Sequence, residues 1–184
     1  MTDRAFKVAV LGSAIVPSDS FDGRQAYRVG RLIATEGCIL LTGGCTGLPH
    51  AAVGGAASAG GLTVAVSPAK NRRDHESVYG YPLDSSLILF TGMGRKGRNV
   101  ILIRSADACI FLRGGMGTLN EFTIAFNDMG TGSAIGVLAG AGGLTDEIPT
   151  LVSLEPRTPR AHLIIDSDLE NILSEILLHL RYRQ

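Results

Sequence analysis

The sequence predicts a single α/β domain over residues 1–184: a Rossmann-like, doubly wound parallel sheet of about six to seven strands with helices on both faces. Three observations predict it. Short apolar runs of strand length alternate with stretches of helical spacing, the pattern of successive βαβ units. The runs are apolar at nearly every residue, as strands covered on both faces are. Finally, the 24 glycines cluster just after those runs, at the carboxyl ends of the strands, where such sheets bind ligands.

Taken in order, "FKVAVLG" (6–12) reads as a buried strand. Residues 23–37 carry apolar side chains at helical spacing, with Gly37 as a stop. "CILLTGG" (38–44) is a second strand, and "LPHAAVGGAASAGG" (48–61) a small-residue helix able to pack closely on a sheet. "LTVAVSP" (62–68) is a third strand, stopped by Pro68, and "SLILFTG" (86–92) a fourth. The polar segment between them, 69–85, reads as a long irregular loop over the site. A helix over 98–106 leads to a fifth strand, "DACIFLRGG" (107–115). A helix over 117–130 and a sixth strand over 134–140 follow. "LTDEIP" suits a short helix and "TLVSLEP" a last edge strand. Residues 167–183 form an amphipathic helix, with Ser167 and Glu170 spaced as a capping box.

Composition narrows the function classes. Hydrophobic residues make up 45% and charged residues 18%, a globular balance. Seventeen basic residues match seventeen acidic ones, so no general attraction to nucleic acid or anionic membrane is expected. No apolar run approaches a membrane span, and "MTDRAFKVAVLG" is too short in its apolar part for a signal peptide. Cys38, Cys45 and Cys109 lie far apart, without a C-x-x-C pair, and read as buried apolar side chains in a reducing compartment. A soluble cytoplasmic protein is expected, with no metal site.

The chemistry gathers in the glycine turns. In "FLRGGMGTLNEF" (111–122), Gly114, Gly115 and Gly117 link a strand to a helix and leave backbone N–H groups uncovered. The first N–H groups of a helix lack internal partners, and the helix dipole favours an anion there. Gly114, Gly115, Met116, Gly117 and Thr118 are therefore read as a phosphate loop. Glu121 lies about one turn further on; an acid against a phosphate is repelled, so it would face another part of the ligand, such as a sugar. "LTGGCTGLPHAA" (41–52) and "LGSAIV" (11–16) repeat the strand, turn, helix logic, adding Gly43, Gly44, Gly12 and Ser13 as binding candidates. "GMGRKGRN" (92–99) has the spacing of a dinucleotide fingerprint, but the acid expected about 20 residues on is absent and Arg113 stands there. The stretch carries Arg95, Lys96 and Arg98, one of which would reach the ligand. No G-x-x-x-x-G-K-[ST] motif occurs.

Together these pieces resemble the LOG family, the "lysine decarboxylase-like" proteins of the SLOG nucleotide-binding superfamily. Residues 113–121, "RGGMGTLNE", are similar to that family's P-G-G-x-G-T-x-x-E loop, and Arg98 stands 23 positions before Glu121, the spacing of the family arginine. The resemblance implies a nucleoside 5′-monophosphate phosphoribohydrolase that releases free base and ribose 5-phosphate. It implies Glu121 and Arg98 as the catalytic pair, no required cofactor, a bound nucleoside monophosphate or phosphate, and a homodimer. The alternative is a non-catalytic nucleotide or phosphorylated-cofactor carrier, similar to the molybdenum cofactor carrier proteins of the same superfamily. Nothing resembles the pyridoxal-phosphate lysine of a decarboxylase. The chain departs from the family pattern at Arg113 for Pro, Asn120 for a frequent second acid and Asn99 for Lys.

Outside these motifs, His50, His75, His162 and His179 show no metal spacing. Tyr79 and Tyr81, in the 69–85 segment, are read first as loop packing and second as a stacking surface for a base.

Overall fold

The computed structural model describes residues 5–182. Seven strands, β1 (Lys7–Leu11), β2 (Ile39–Thr42), β3 (Thr63–Ser67), β4 (Leu87–Phe90), β5 (Ala108–Phe111), β6 (Ala134–Leu138) and β7 (His162–Asp166), form one sheet in the order β4-β3-β2-β1-β5-β6-β7. Every pairing is parallel, with β1 held between β2 and β5. The chain builds outward from β1 to β4, then returns to β5 and builds the other way. Helices joining strands must change face when the direction of winding reverses. Accordingly, α1 (Phe21–Thr35), α2 (Leu48–Ser58) and α7 (Leu169–Tyr182) supply one core layer, and α4 (Gly94–Ser105), α5 (Met116–Asp128) and α6 (Ile148–Leu154) the other.

Strand alternation divides the sheet between the two layers. Val8, Val10, Ala108 and Ile110 pack toward α1, α2 and α7, while Ala9, Leu11, Cys109 and Phe111 pack toward α4 and α5. All eight are essentially inaccessible to solvent, which explains the unbroken apolar runs. Helix α1 buries Ala26, Val29, Gly30 and Ile33 along one stripe. Ser20 caps it, its hydroxyl accepting from the Gly23 N–H at 3.0 Å. Gly37, at φ +72°, ends the turn that follows.

Four expectations require correction. The run "TLVSLEP" is not an edge strand: Ile148–Leu154 is helix α6, with Pro149 in its first turn, where a missing N–H costs nothing. The edge strand is β7, whose register runs from Ala134 opposite His162 to Leu138 opposite Asp166. The last helix is capped by Asp168 rather than Ser167, since Asp168 Oδ1 accepts from the Glu170 N–H at 2.8 Å. Helix α4 begins at Gly94 rather than residue 98. The segment 69–85 also contains a short helix, α3 (Arg72–Ser77), pinned by a fully buried His75. Among the described residues no helix is long and apolar enough to cross a membrane.

Helices α1 and α2 touch backbone to backbone. A Cβ on Gly30 would collide with the Ala52 carbonyl, and one on Gly55 with the Tyr27 carbonyl, whereas one on Gly54 would meet only the Tyr27 ring at 3.8 Å. Gly30→Ala or Gly55→Ala should cost about 1–3 kcal/mol by forcing the helices apart. Gly54→Ala, exposed on the same helix, should gain roughly 0.5–1 kcal/mol from helix propensity. Urea unfolding midpoints of the three variants separate these effects.

Candidate functional site

The site forms where the winding reverses, at the carboxyl ends of β1 and β5. Gly12 follows β1 in a tight space: a Cβ there would meet Arg113 O at 3.2 Å and Leu48 Cβ at 3.3 Å. Ser13 then joins three segments through its backbone. Its N–H donates to Arg113 O at 2.8 Å, and its carbonyl accepts from the Leu48 N–H at 2.9 Å. The Ser13 hydroxyl accepts from the Ile15 N–H at 3.3 Å, holding the turn that carries Ile15 over the site.

After β5 the glycines divide into two roles. Gly114 is required by packing, because a Cβ would overlap Thr118; its carbonyl also accepts from Leu144 N at 2.8 Å. Gly115 and Gly117 face open space, with nothing within 4 Å of an added Cβ. Gly115 is the N-cap of α5, and no side chain caps that helix. An uncapped helix start bordered by open glycines admits close approach of an anion to the backbone N–H groups.

Arg98 is the buried cation of the site, 5% exposed. Its Nη1 donates to the carbonyls of Gly43 and, at 3.0 Å, Val66, and its Nε donates to Asn99 Oδ1 at 3.1 Å. A side chain on Gly43 would overlap that guanidinium, so Gly43 serves the arginine. Asn99 passes the connection to α5, its Nδ2 donating to Asn120 Oδ1 at 3.0 Å. Two of the departures from the LOG pattern, Asn99 and Asn120, are thus partners: an amide pair stands where the pattern has Lys and an acid.

Glu121 is 8% exposed. Among the described residues its carboxylate has no hydrogen bond and no ion pair. Burial pushes its pKa up to about 7, with Arg98 and then Lys96 pulling the other way. A buried carboxyl at the border of ionisation and open to a cavity suits acid–base chemistry or a hydrogen bond to a ligand.

A cavity of about 450 Å³ unites these groups. Of the residues read from sequence, Gly12, Ser13, Arg98, Gly115, Gly117, Thr118 and Glu121 line it. Gly114 lies behind the loop and Met116 is 69% exposed between the lining glycines. Gly43 and Gly44 stand outside the wall: Gly44, at φ +66°, turns the chain so that Cys45 and Thr46 line it instead. Sequence reading missed Cys45, whose thiol burial pushes up to about 11. Its position two residues after Gly43 was the available signal. Tyr79 and Tyr81 also line the cavity, while the fully buried His75 does not.

A model of the SLOG cluster 4 family matches residues 5–172. The chain belongs to this family. An uncharacterised protein from Archaeoglobus fulgidus is 36% identical over 125 residues, 68% of this chain and 76% of that protein. Among solved structures, the molybdenum cofactor binding protein from Rippkaea orientalis superposes with a TM-score of 0.75 at 29% identity, covering 96% of this chain and 98% of that one. The Moco carrier protein from Chlamydomonas reinhardtii superposes with a TM-score of 0.75 at 24% identity, covering 97% and 99%; this likeness is one of fold. For this SLOG cluster 4 protein, the sequence resemblance to the superfamily is therefore confirmed, and a molybdenum cofactor binding protein is among the structures it resembles.

The burial of Glu121 has a stability consequence. With a folded pKa near 7 against an ordinary 4.5, the folded state binds more protons between those values, so this group makes stability fall as pH rises from about 4.5 through 7. Glu121→Gln should leave the melting temperature unchanged at pH 4.5 and raise it at pH 8, a gain of roughly 1–3 kcal/mol. Thermal melts across that range read it directly.

Proposed function

We propose that this chain binds a small phosphorylated heterocyclic ligand, of the phosphorylated-pterin or nucleotide class, and holds it as a binding or carrier protein. The phosphate is held at the uncapped start of α5, by the backbone around Gly115 and Gly117 and by Thr118. The observation that carries this reading is Arg98. Its guanidinium is engaged by the Gly43 and Val66 carbonyls and by Asn99, so it builds the wall of the site more than it grips a ligand. The 29% identity to a molybdenum cofactor binding protein over nearly the whole chain supports the same class of cargo.

Glu121 favours a second reading, the nucleoside 5′-monophosphate phosphoribohydrolase. Its carboxyl is unpaired, faces the cavity and titrates near 7. Ionised, it would stabilise the oxocarbenium character that develops on ribose and orient a water. Water would add to the anomeric carbon, the bond to the base nitrogen would break, and the water's proton would leave with the base.

In either reading the setting is cytoplasmic, which suits three buried, unpaired cysteines. A homodimer is proposed through the β4 edge, where Leu87, Leu89 and Phe90 are 51%, 46% and 38% exposed; an apolar edge strand invites pairing. Light scattering should then show a dimer that Leu87→Lys/Leu89→Lys converts to a monomer.

Incubation with nucleoside 5′-monophosphates, followed by assay of free base and ribose 5-phosphate, separates the two functional readings. No release alongside measurable binding is the expected result. Release that Glu121→Gln abolishes would establish the hydrolase instead. Gly117→Val should weaken phosphate-ligand binding at least tenfold while changing stability by no more than roughly 0.5 kcal/mol, since its side chain meets only the cavity.

A further inference from the structure

The segment between β3 and β4 carries more order than its polarity suggests, and the order converges on the cavity. His75 is fully buried. Its Nε2 faces the Pro82 carbonyl at 2.9 Å, which only accepts, so that nitrogen carries a proton. Its Nδ1 meets the Ser67 hydroxyl at 2.8 Å, at the end of β3, and that same oxygen accepts from the Ala69 N–H at 3.0 Å. The ring also sets its edge against Tyr81, centroids 5.5 Å apart, and against Phe90 at 5.8 Å. The segment is therefore pinned to the sheet at its centre.

What the pin holds is a pair of aromatic rings. Tyr79 and Tyr81 are two residues apart, with Gly80 at φ +65° between them, and their rings lie 5.5 Å apart at a tilt of 42°. Both line the cavity and both are only partly buried. Arg95, from the first turn of α4, spans them: its Nε donates to Tyr81 Oη at 3.3 Å, and its guanidinium carbon lies 5.7 Å from the Tyr79 ring centre. The three make a panel with π faces and spare N–H donors, built from two separate chain segments. Ordinary packing would turn such rings into a core; here they stand at the wall of a cavity that Arg98 and Glu121 also line.

The cavity wall carries two chemically different sets of groups, the backbone anion site at Gly115, Gly117 and Thr118 and the Tyr79–Tyr81–Arg95 panel, and Cys45, Arg98 and Glu121 line it as well. We propose that Tyr79, Tyr81 and Arg95 form the specificity subsite for a flat heteroaromatic ring, placed so that the ligand's ring lies on the panel while its phosphate sits at the start of α5. Aromatic faces add affinity for any flat ring, and a guanidinium bonds to ring carbonyl and ring nitrogen acceptors. The subsite rests on the phosphorylated-ligand reading above, and the panel selects ring-bearing phosphates over bare sugar phosphates.

The test uses the intact protein and defined probes: inorganic phosphate, ribose 5-phosphate and the four ribonucleoside 5′-monophosphates. The chain has no Trp and four Tyr, two of them in the panel, so tyrosine emission compared between the protein and Tyr79→Phe reports on the panel, and calorimetry supplies affinities. At least one nucleotide should bind ten or more times tighter than ribose 5-phosphate and quench that emission. Tyr79→Leu should erase this advantage, Tyr79→Phe should keep it, and neither should change ribose 5-phosphate affinity. Nucleotides bound no tighter than ribose 5-phosphate would overturn the subsite while leaving the phosphate site standing. Equal losses for nucleotide and sugar phosphate in Tyr79→Leu would overturn it too, by showing that the ring only supports the fold. No binding of any probe would overturn the phosphorylated-ligand reading and the subsite with it.

Discussion

A single buried guanidinium organises this site. Arg98 is almost fully enclosed, and a buried charge is costly unless its donors are satisfied. Satisfying them draws together the end of β2 through Gly43, the end of β3 through Val66, and α4 itself. That requirement fixes the orientation of the first turn of α4, and with it Arg95 and Lys96. It accounts for Gly43, where any side chain would occupy the guanidinium's place. It extends through Asn99 and Asn120 to α5, the helix that carries both the anion-binding turn and Glu121.

The electrostatic result is unusual for a buried arginine. Carbonyls, not carboxylates, hold it, so its charge is solvated but not neutralised. Glu121 stands near enough to feel the charge yet makes no ion pair with it, and desolvation outweighs the attraction, leaving its pKa near 7. A cavity with a persistent cation, a half-committed carboxyl and an uncapped helix start is prepared for an anionic ligand. Those features cost stability without one, which is the usual mark of a site shaped by binding rather than by folding. The same disposition serves a carrier or a hydrolase. What separates them is whether Glu121 acts on the bond next to the ring or only borders it.

The family relation fits this picture. A SLOG cluster 4 chain whose solved relatives include a molybdenum cofactor binding protein keeps the glycine turn and the glutamate of the LOG pattern. It replaces a lysine and an acid of that pattern by the Asn99–Asn120 pair. In this chain that amide pair ties α4 to α5 without adding a charge.

The sequence by itself determined the fold class and the strand–glycine–helix turns. Short continuous apolar runs bounded by turn residues are what strands covered on both faces show, and the uncovered N–H groups of a helix start are a local property of the chain. The weak spots were places where local signals conflict. "TLVSLEP" has too few apolar residues to distinguish a strand from a turn of helix, and β7 is an edge strand of five residues whose apolar run is only Leu163–Ile165. The 69–85 segment looked like an open loop because its order depends on His75 reaching Ser67, a contact between segments that no periodicity encodes. Only the tertiary structure decided that Gly43 serves Arg98, that Gly115 and Gly117 face open space while Gly114 is packed, and that Tyr79, Tyr81 and Arg95 share one wall. The physical reason is common to all three. A glycine or a tyrosine looks the same in the sequence whether it faces a neighbour or a cavity, and which it faces is fixed by the crossing of distant strands and helices.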